Sequence, residues 1–428
     1  MTETETEPVE TVLGRLQRGR GSGYLDALSE DAVSAQQDVI KCVTKDPRWD
    51  SQVEARSTYY ANLMIALNLG IDPLVTHLFN DKDYVDDDEN RTGLTLNVLG
   101  DLARRGRPDA TPVLRRYVAT GRNWVWGLHE LMALESPEAV EKLDDVIGLR
   151  FAGDADLVEA LRQANVPQGK WPATNVRVVR ALDAIANEEE RGHDREAPVY
   201  PPIEPTVVAA LHGSEAERRE ALISLGNLRS PLVVDAAEAA IRSGSPDLRR
   251  VGRRALFRAR ESGMVERARL WATESNELSE AALHVLARHG TAVDIPFLRE
   301  QLTQGWAQRH MYQTSDAVEG LGRLADASSS NAIETIYLET TYSYLRRRAA
   351  QALAAVSASF AETQAIESLW DCETVTRAVG CACATWSQAM VRDRIRELVA
   401  DTLEDDVVRP TGRARLNILD ANGKDAAS

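Results

Sequence analysis

The sequence predicts an all-α protein built as a stacked array of helical hairpins, and three observations carry that prediction. The first is a recurring pattern. In residues 343–356 the apolar side chains Leu345, Ala349, Ala352, Leu353 and Val356 fall at three-and-four spacing on one helical face. Arg347, Gln351 and Ala354 fall opposite them. The small residues Ala349 and Ala352 predict that a neighbouring helix sits close. A polar turn, a Leu/Val-Arg step and then Ala-x-x-Ala-Leu return at 246–256 and, more loosely, at 217–226. The second observation is composition: 43% hydrophobic but only 5% aromatic residues, with Ala and Leu dominant, which suits close-packed helices better than sheets. The third is length, because 428 residues exceed what one compact core organises.

The repeat resembles that of the HEAT superfamily, including its bilin-lyase-like branch. The resemblance covers the repeat pattern alone. It implies an armadillo-like right-handed α-α superhelix, a solenoid of roughly nine to eleven hairpins, and names an architecture and not an activity.

Along the chain, residues 1–23 are expected to form a disordered tail, acidic at first and then Gly-rich through Gly19-Arg20-Gly21-Ser22-Gly23. Gly14, Gly19 and Arg20 mimic the frame of a phosphate-binding loop, but its Lys and Ser/Thr are missing and no apolar strand precedes it. Residues 24–186 read as an N-terminal array, with helices at 32–43 and 53–69 and another opening at Asp72-Pro73. The acidic turn at 81–89 fails as a calcium loop: Asp86 stands where Gly is needed and Thr92 where a bidentate Glu belongs. A solvated loop is expected there. Helices follow at 93–103, 112–118, 124–134 and 137–149. Trp124 and Trp126 are two apart, so both cannot face the core, and one is expected to be at least half exposed. His129-Glu130 begins like a zinc-protease helix, but Ala133 occupies the second histidine's place.

The pattern breaks at 166–172, resumes at 176–186, and breaks again at 187–205, where acidic residues and Pro198, Pro201, Pro202 and Pro205 predict a linker or long loop. Residues 206–404 then read as a C-terminal array. Its marker leucines Leu222, Leu256, Leu283, Leu321 and Leu353 are unevenly spaced, as loop insertions on a solenoid would make them. Residues 405–428 read as a capping strip and tail.

Charge directs attention to one segment. The net charge is −16, which opposes indiscriminate binding to nucleic acid or anionic membrane. Its distribution is uneven: residues 1–90 carry 8 Lys/Arg against 18 Asp/Glu, whereas residues 212–270 carry 12 Arg against 8 Asp/Glu. Six of the 50 basic residues are lysine, leaving 44 arginines. On a helix over 247–260, Leu248, Val251, Gly252, Ala255 and Ala259 share one side, and Arg249, Arg250, Arg253, Arg254, Arg258 and Arg260 arc across the other, with Phe257 among them. The expected partner-binding residues are Arg250, Arg253, Arg254, Phe257, Arg258 and Arg347, with Arg346 extending the row. In HEAT-like arrays this helix usually lines the concave surface, so the resemblance implies a groove; there, an early Arg also commonly bonds an Asp and ties repeats together, a role that fits Asp247 and Arg250.

Other candidates read as structural. Cys381 and Cys383 lie on different sides of a helix with no His near in sequence, so packing is favoured over a metal site that would include Cys372. His284 and His289, ending a helix before Gly290, suit a capping role. Nothing arranges a nucleophile with a base and an orienting acid, so neither catalysis, a cofactor nor a metal is expected. No run approaches the length of about eighteen apolar residues needed to span a membrane, and the N-terminus lacks a basic-then-apolar leader, so a cytoplasmic protein is expected.

The leading function is therefore a scaffold that holds a protein or peptide partner in its groove. Two alternatives stay open. Some HEAT-like proteins act on nucleic acid, including glycosylases for alkylated bases; this requires Trp124, Trp271 or Trp306 and an Asp to converge in a basic groove. The bilin-lyase branch suggests a lyase or cofactor chaperone.

Overall fold

The Ala-x-x-Ala-Leu pattern becomes the surface on which successive helices meet. In the computed structural model, which describes residues 6–29, 32–85, 90–164, 171, 173–193, 203–258, 263–273, 277–386 and 388–425, every regular element is helical. No helix among the described residues is long and apolar enough to cross a membrane. The chain divides into two compact units, the first Met1–Glu196 with Thr341–Ser343 and Gln364–Ser428, the second Ala197–Thr340 with Tyr344–Thr363.

The second unit is a run of hairpins. The helices Ile203–His212 and Glu215–Asn227, Val233–Ile241 and Pro246–Arg258, Met264–Thr273 and Ser279–His289, and Ile295–Ala307 and Met311–Arg323 pair in order, and Ser343–Val356 meets Met311–Arg323 through Ala352 and Gly322. The second helices of successive hairpins pack on one another. Leu222, Leu256, Leu283, Leu321 and Leu353 are all buried between them, each such side chain contributing about 1.5–3 kcal/mol. The helices approach closely where side chains are smallest. A methyl group added at Gly322 would lie 2.7 Å from the Cα of Ala352, and one at Gly320 would lie 2.7 Å from that of Ala287. The close neighbour predicted from Ala352 is therefore the Met311–Arg323 helix.

Arginine ties many of these helices end to end. Arg323 donates to the carbonyls of Ala287 and Gly290 at 2.9 and 2.7 Å, closing the end of the Ser279–His289 helix. In the first unit Arg150 does the same for Ala110–Thr120, and Arg177 for Leu143–Arg150. A helix leaves its last carbonyls without partners, and a planar guanidinium can satisfy two at once.

The first unit departs from expectation at its ends. The segment expected to be a disordered tail holds the helices Val12–Arg18 and Gly21–Ser29; residues 1–5 lie outside the described residues. Its glycines serve close approach. Gly19 takes a left-handed φ of +68°, its carbonyl accepts the Cys372 N–H at 2.9 Å, and a methyl group on Gly21 would lie 1.8 Å from the Glu367 carbonyl oxygen. Arg20 forks onto Glu367 at 2.8 and 2.9 Å. Residues 364–428 group with the N-terminal unit, whereas the sequence pattern predicts one array over 206–404. The expected tail at 405–428 contains the helix Val408–Asp425, packed on Thr374–Cys383 and Ala389–Ala400.

At the expected linker, the Val176–His193 helix continues past residue 186, and Pro205 sits in the first turn of Ile203–His212, where a missing N–H costs nothing. Residues 194–202 are outside the described residues, as are 86–89 of the acidic turn. Asp83 in that turn is buried, not solvated: it accepts the Tyr117 hydroxyl at 2.7 Å and the Arg122 N–H at 2.9 Å. Trp126, expected to be half exposed if Trp124 is buried, is also largely covered, because Gly93 leaves room for its ring on the Asn90–Arg104 helix.

The strongest polar cluster of this unit lies at residues 54–56, where a helix was expected to have begun. Arg56 is 0% exposed. It pairs with Glu54 at 2.8 Å and donates to the carbonyls of Gln17 and Thr341. Glu54 also accepts the N–H groups of Asp50 and Ser343 at 2.9 and 2.8 Å. These bonds hold backbone from three distant parts of the sequence together, and the helix starts only at Ser57.

Candidate functional site: a basic face with two cavities

Six residues were expected to form the partner-binding face, and the second unit brings four of them together. Arg253, Arg254, Phe257 and Arg258 occupy the exposed flank of the Pro246–Arg258 helix. Arg250 lies a turn earlier and pairs with Asp247 of its own helix at 3.0 Å, so this pair does not tie repeats together. Arg347 is on the Ser343–Val356 helix, its guanidinium 4.7 Å from the Tyr344 ring centre, and lines neither cavity described below. Arg346 is 0% exposed, which removes it from any binding face.

The larger cavity, about 930 Å³, lies between the Pro246–Arg258 and Ser279–His289 helices and the start of Met264–Thr273. Its apolar wall comes from Leu256, Phe257, Met264, Val265 and Val285. Phe257 is 37% exposed and stacks on the His284 ring, centroids 3.8 Å apart with 19° between planes. One turn away Arg253 meets Glu280 at 2.5 Å, so the two helices are joined by successive cross-contacts.

The basic residues around this cavity differ in how far their charges are already met. Arg269 forks onto Asp294 at 2.9 and 3.0 Å. Arg288 reaches the Nδ1 atom of His284 at 2.7 Å and Asp316 at 3.3 Å, and the same His284 nitrogen lies 3.2 Å from Asp316. Burial pushes the Asp316 carboxyl up, but the His284 hydrogen bond and the Arg288 charge outweigh it and hold the group below its ordinary value. Asp316 therefore stays ionised and orients both neighbours. Arg229 and Arg258 have no carboxylate partner among the described residues; Arg258 donates at 2.5 Å to the neutral side-chain oxygen of Asn227.

A second cavity of about 270 Å³ adjoins Arg258 on its other side, lined by Leu222, Ile223, Gly226, Asn227, Val251, Arg254 and Ala255. Arg254 likewise has no carboxylate partner among the described residues. Arg229, Arg254 and Arg258 thus present three cationic groups around two adjacent cavities.

The residues missed from sequence are Arg229, Met264, Val265, His284 and Arg288. For His284 a signal was present. Phe257 and His284 each follow a marker leucine, Leu256 and Leu283, and so does Ile223, which follows Leu222. Residues in equivalent places on adjacent second helices face one another, as Arg253 and Glu280, each three before a marker leucine, also do. His284 is therefore a mid-helix partner of Phe257, not the helix cap expected.

The remaining candidates are packing residues. Cys42, Cys372 and Cys381 are buried, burial pushes the Cys381 thiol up to about 12, and no group of metal-ligating side chains occurs among the described residues. Trp271 is buried and donates to Glu238, while Trp124 is buried against Phe151. No protein-family model matches the chain, and no curated protein matches it either.

Proposed function

We propose that the chain is a cytoplasmic scaffold with a HEAT-like, right-handed superhelical repeat, and that it binds an acidic segment of a protein partner across the Arg229, Arg254 and Arg258 face. One observation carries this reading: Arg229 and Arg258 share a cavity with the exposed Phe257 ring, Arg254 and Arg258 line the cavity next to it, and none of the three has a carboxylate partner among the described residues. Uncompensated arginines attract carboxylates, and their planar forks bind them in pairs. Phe257 adds apolar contact at the centre, where interfaces concentrate their binding energy. The stacked hairpins and their small-residue contacts support the repeat family, since each hairpin covers its apolar face only against its neighbours.

The nucleic-acid alternative has less support. A damaged base stacks on an open indole; Trp124 and Trp271 are buried, and Trp306, which is part-exposed, lines neither cavity. The lyase or chaperone alternative would bring a chromophore or cofactor, which a visible absorbance band in the protein purified from its own cells would reveal.

The test is affinity capture from the source organism's lysate, with and without nuclease, comparing wild type with the double variant Arg254→Glu, Arg258→Glu. A protein partner that survives nuclease and is lost in the double variant, while helical circular dichroism is unchanged, supports the scaffold. Equal capture by the double variant removes this face from the function. Loss of all bound material on nuclease treatment replaces the scaffold with the nucleic-acid alternative.

A further inference from the structure

Scaffold binding uses the outer flank of the Pro246–Arg258 helix, but the interior of the larger cavity is not explained by it. A surface that only holds an extended acidic segment needs no recess, whereas about 930 Å³ of space with an apolar wall is the size of a small-molecule site. The wall is drawn from three chain segments. Leu256 and Phe257 form one side, Met264 and Val265 a second, and Val285 with the His284 ring a third. Phe257 and His284 stack on one another in this wall, 19° from parallel, and a further aromatic ring packs favourably against the edges of such a pair.

The charge around the wall selects the ligand's head group. Arg269 is neutralised by Asp294, Arg288 is shared with His284 and Asp316, and the one carboxylate among the described lining residues, Glu266, lies 3.9 Å from Arg269. Arg229 and Arg258 are left without a carboxylate among the described residues. A cation would be repelled by this pair, and a neutral hydrocarbon would leave it unused. Inorganic phosphate would satisfy the arginines but leave the apolar wall in contact with water. The ligand that satisfies both is amphipathic and acidic.

We propose that this cavity binds a small organic anion with a flat aromatic body and one acidic oxygen group, a carboxylate, sulfonate or phosphate, held between Arg229 and Arg258. The body lies against Phe257, Met264, Val265 and Val285. Charge-assisted hydrogen bonds to arginine set its orientation, and the apolar wall supplies the remaining affinity. This inference shares Arg229, Arg258 and Phe257 with the scaffold reading, but a cavity ligand and a partner protein are detected separately, so either can fail without the other.

The probe is anilinonaphthalene sulfonate, titrated into the intact chain with binding followed by fluorescence and by calorimetry. One saturable site is expected. Arg258→Gln should weaken it by at least about tenfold, the loss of one charged hydrogen bond. Val265→Trp should weaken it by placing a bulky ring where the ligand meets the apolar wall, and Arg396→Gln, in the other unit, should change nothing. N-phenyl-naphthylamine, which has the same rings without the sulfonate, should bind at least about tenfold more weakly for the same reason. Val265→Trp may be checked by circular dichroism; if it unfolds, Arg258→Gln and the neutral probe still decide. The proposal is overturned if no saturable binding occurs, if Arg258→Gln binds like wild type, or if the neutral probe binds as tightly as the sulfonate.

Discussion

Replacing Arg56 with Met tests what holds the first unit together. The guanidinium is 0% exposed and donates to the Glu54 carboxylate at 2.8 Å and to the carbonyls of Gln17 and Thr341. Met fills similar volume without a donor, so Glu54 keeps a buried charge that, among the described residues, the Asp50 and Ser343 N–H groups are left to answer. Removing one partner of a buried ion pair costs about 3–5 kcal/mol. Two orphaned carbonyls would add about 1–3 kcal/mol each if they stayed dry, and less once water reaches them. A loss of about 4 kcal/mol is the working figure, a large part of the stability of about 5–15 kcal/mol typical of a domain. With a urea slope of about 3 kcal/mol/M, the unfolding midpoint should fall by about 1.3 M. Tryptophan fluorescence is a suitable signal, because Trp49 packs 4.6 Å from Tyr342, beside the segment that Arg56 holds.

The same pair makes a signed pH prediction. Burial pushes the Glu54 carboxyl up, but Arg56 and the N–H groups of Asp50 and Ser343 more than reverse this, so its folded value lies below the ordinary one. A depressed carboxylate contributes stability that is fully present above its unfolded pKa of about 4.3 and is lost as pH falls through the folded value. Acidification below about pH 4.3 should therefore weaken the first unit, and Glu54→Gln should flatten that dependence. Glu54→Gln with Arg56→Met should cost less than the sum of the single changes, because each removes the same contact. A midpoint for Arg56→Met within about 0.3 M of wild type would mean that the cluster is not what anchors these segments, at a urea slope of this size.

Two further outcomes follow from packing. Gly21→Ala puts a methyl group 1.8 Å from the Glu367 carbonyl oxygen; the helices must separate, and a loss of about 1–3 kcal/mol should appear as a lower Tm, so an unchanged Tm would refute the close approach. Cys381→Ala removes a fully buried sulfur whose thiol burial holds near 12; it should cost about 1 kcal/mol and leave both partner and probe binding intact, and lost binding in a folded variant would overturn its packing role.

The all-helical fold was legible in the sequence, and the physical reason is that the apolar spacing that forms each helix is local. Leu222, Leu256, Leu283, Leu321 and Leu353 are buried because each helix meets its neighbour with the same face. Ala352 meets Gly322 for the same reason. What stayed hidden depends on partners far along the chain. Gly19-Arg20-Gly21-Ser22-Gly23 has the composition of a flexible segment, yet its glycines are what allow backbone contact with residues 367–372. Nothing near Arg56 in sequence announces that its acceptors are Gln17 and Thr341. At the candidate site, the helical wheel gathered Arg254, Phe257 and Arg258, but a single wheel cannot reveal what stands opposite. Registering two repeats on their leucines would have placed His284 against Phe257.

The same registration separates structural arginines from those that remain available. Arg323 and Arg258 each stand two residues after a marker leucine, Leu321 and Leu256. Arg323 closes the end of the preceding second helix through the carbonyls of Ala287 and Gly290. Arg258 points to the corresponding helix end but bonds the side chain of Asn227. The difference is functional in its consequences: a guanidinium bound to a helix end is already answered by that end's partial negative charge, whereas one bound to an amide oxygen keeps most of its attraction for an outside anion. A chain with 44 arginines cannot be searched for a binding face by counting positive charges. Among the described residues, subtracting the helix clamps and the carboxylate pairs leaves Arg229, Arg254 and Arg258 as the arginines that line the two cavities. That is why the proposed partner and the proposed small ligand are both anionic, and why reversing Arg254 and Arg258 should disturb recognition without disturbing the fold.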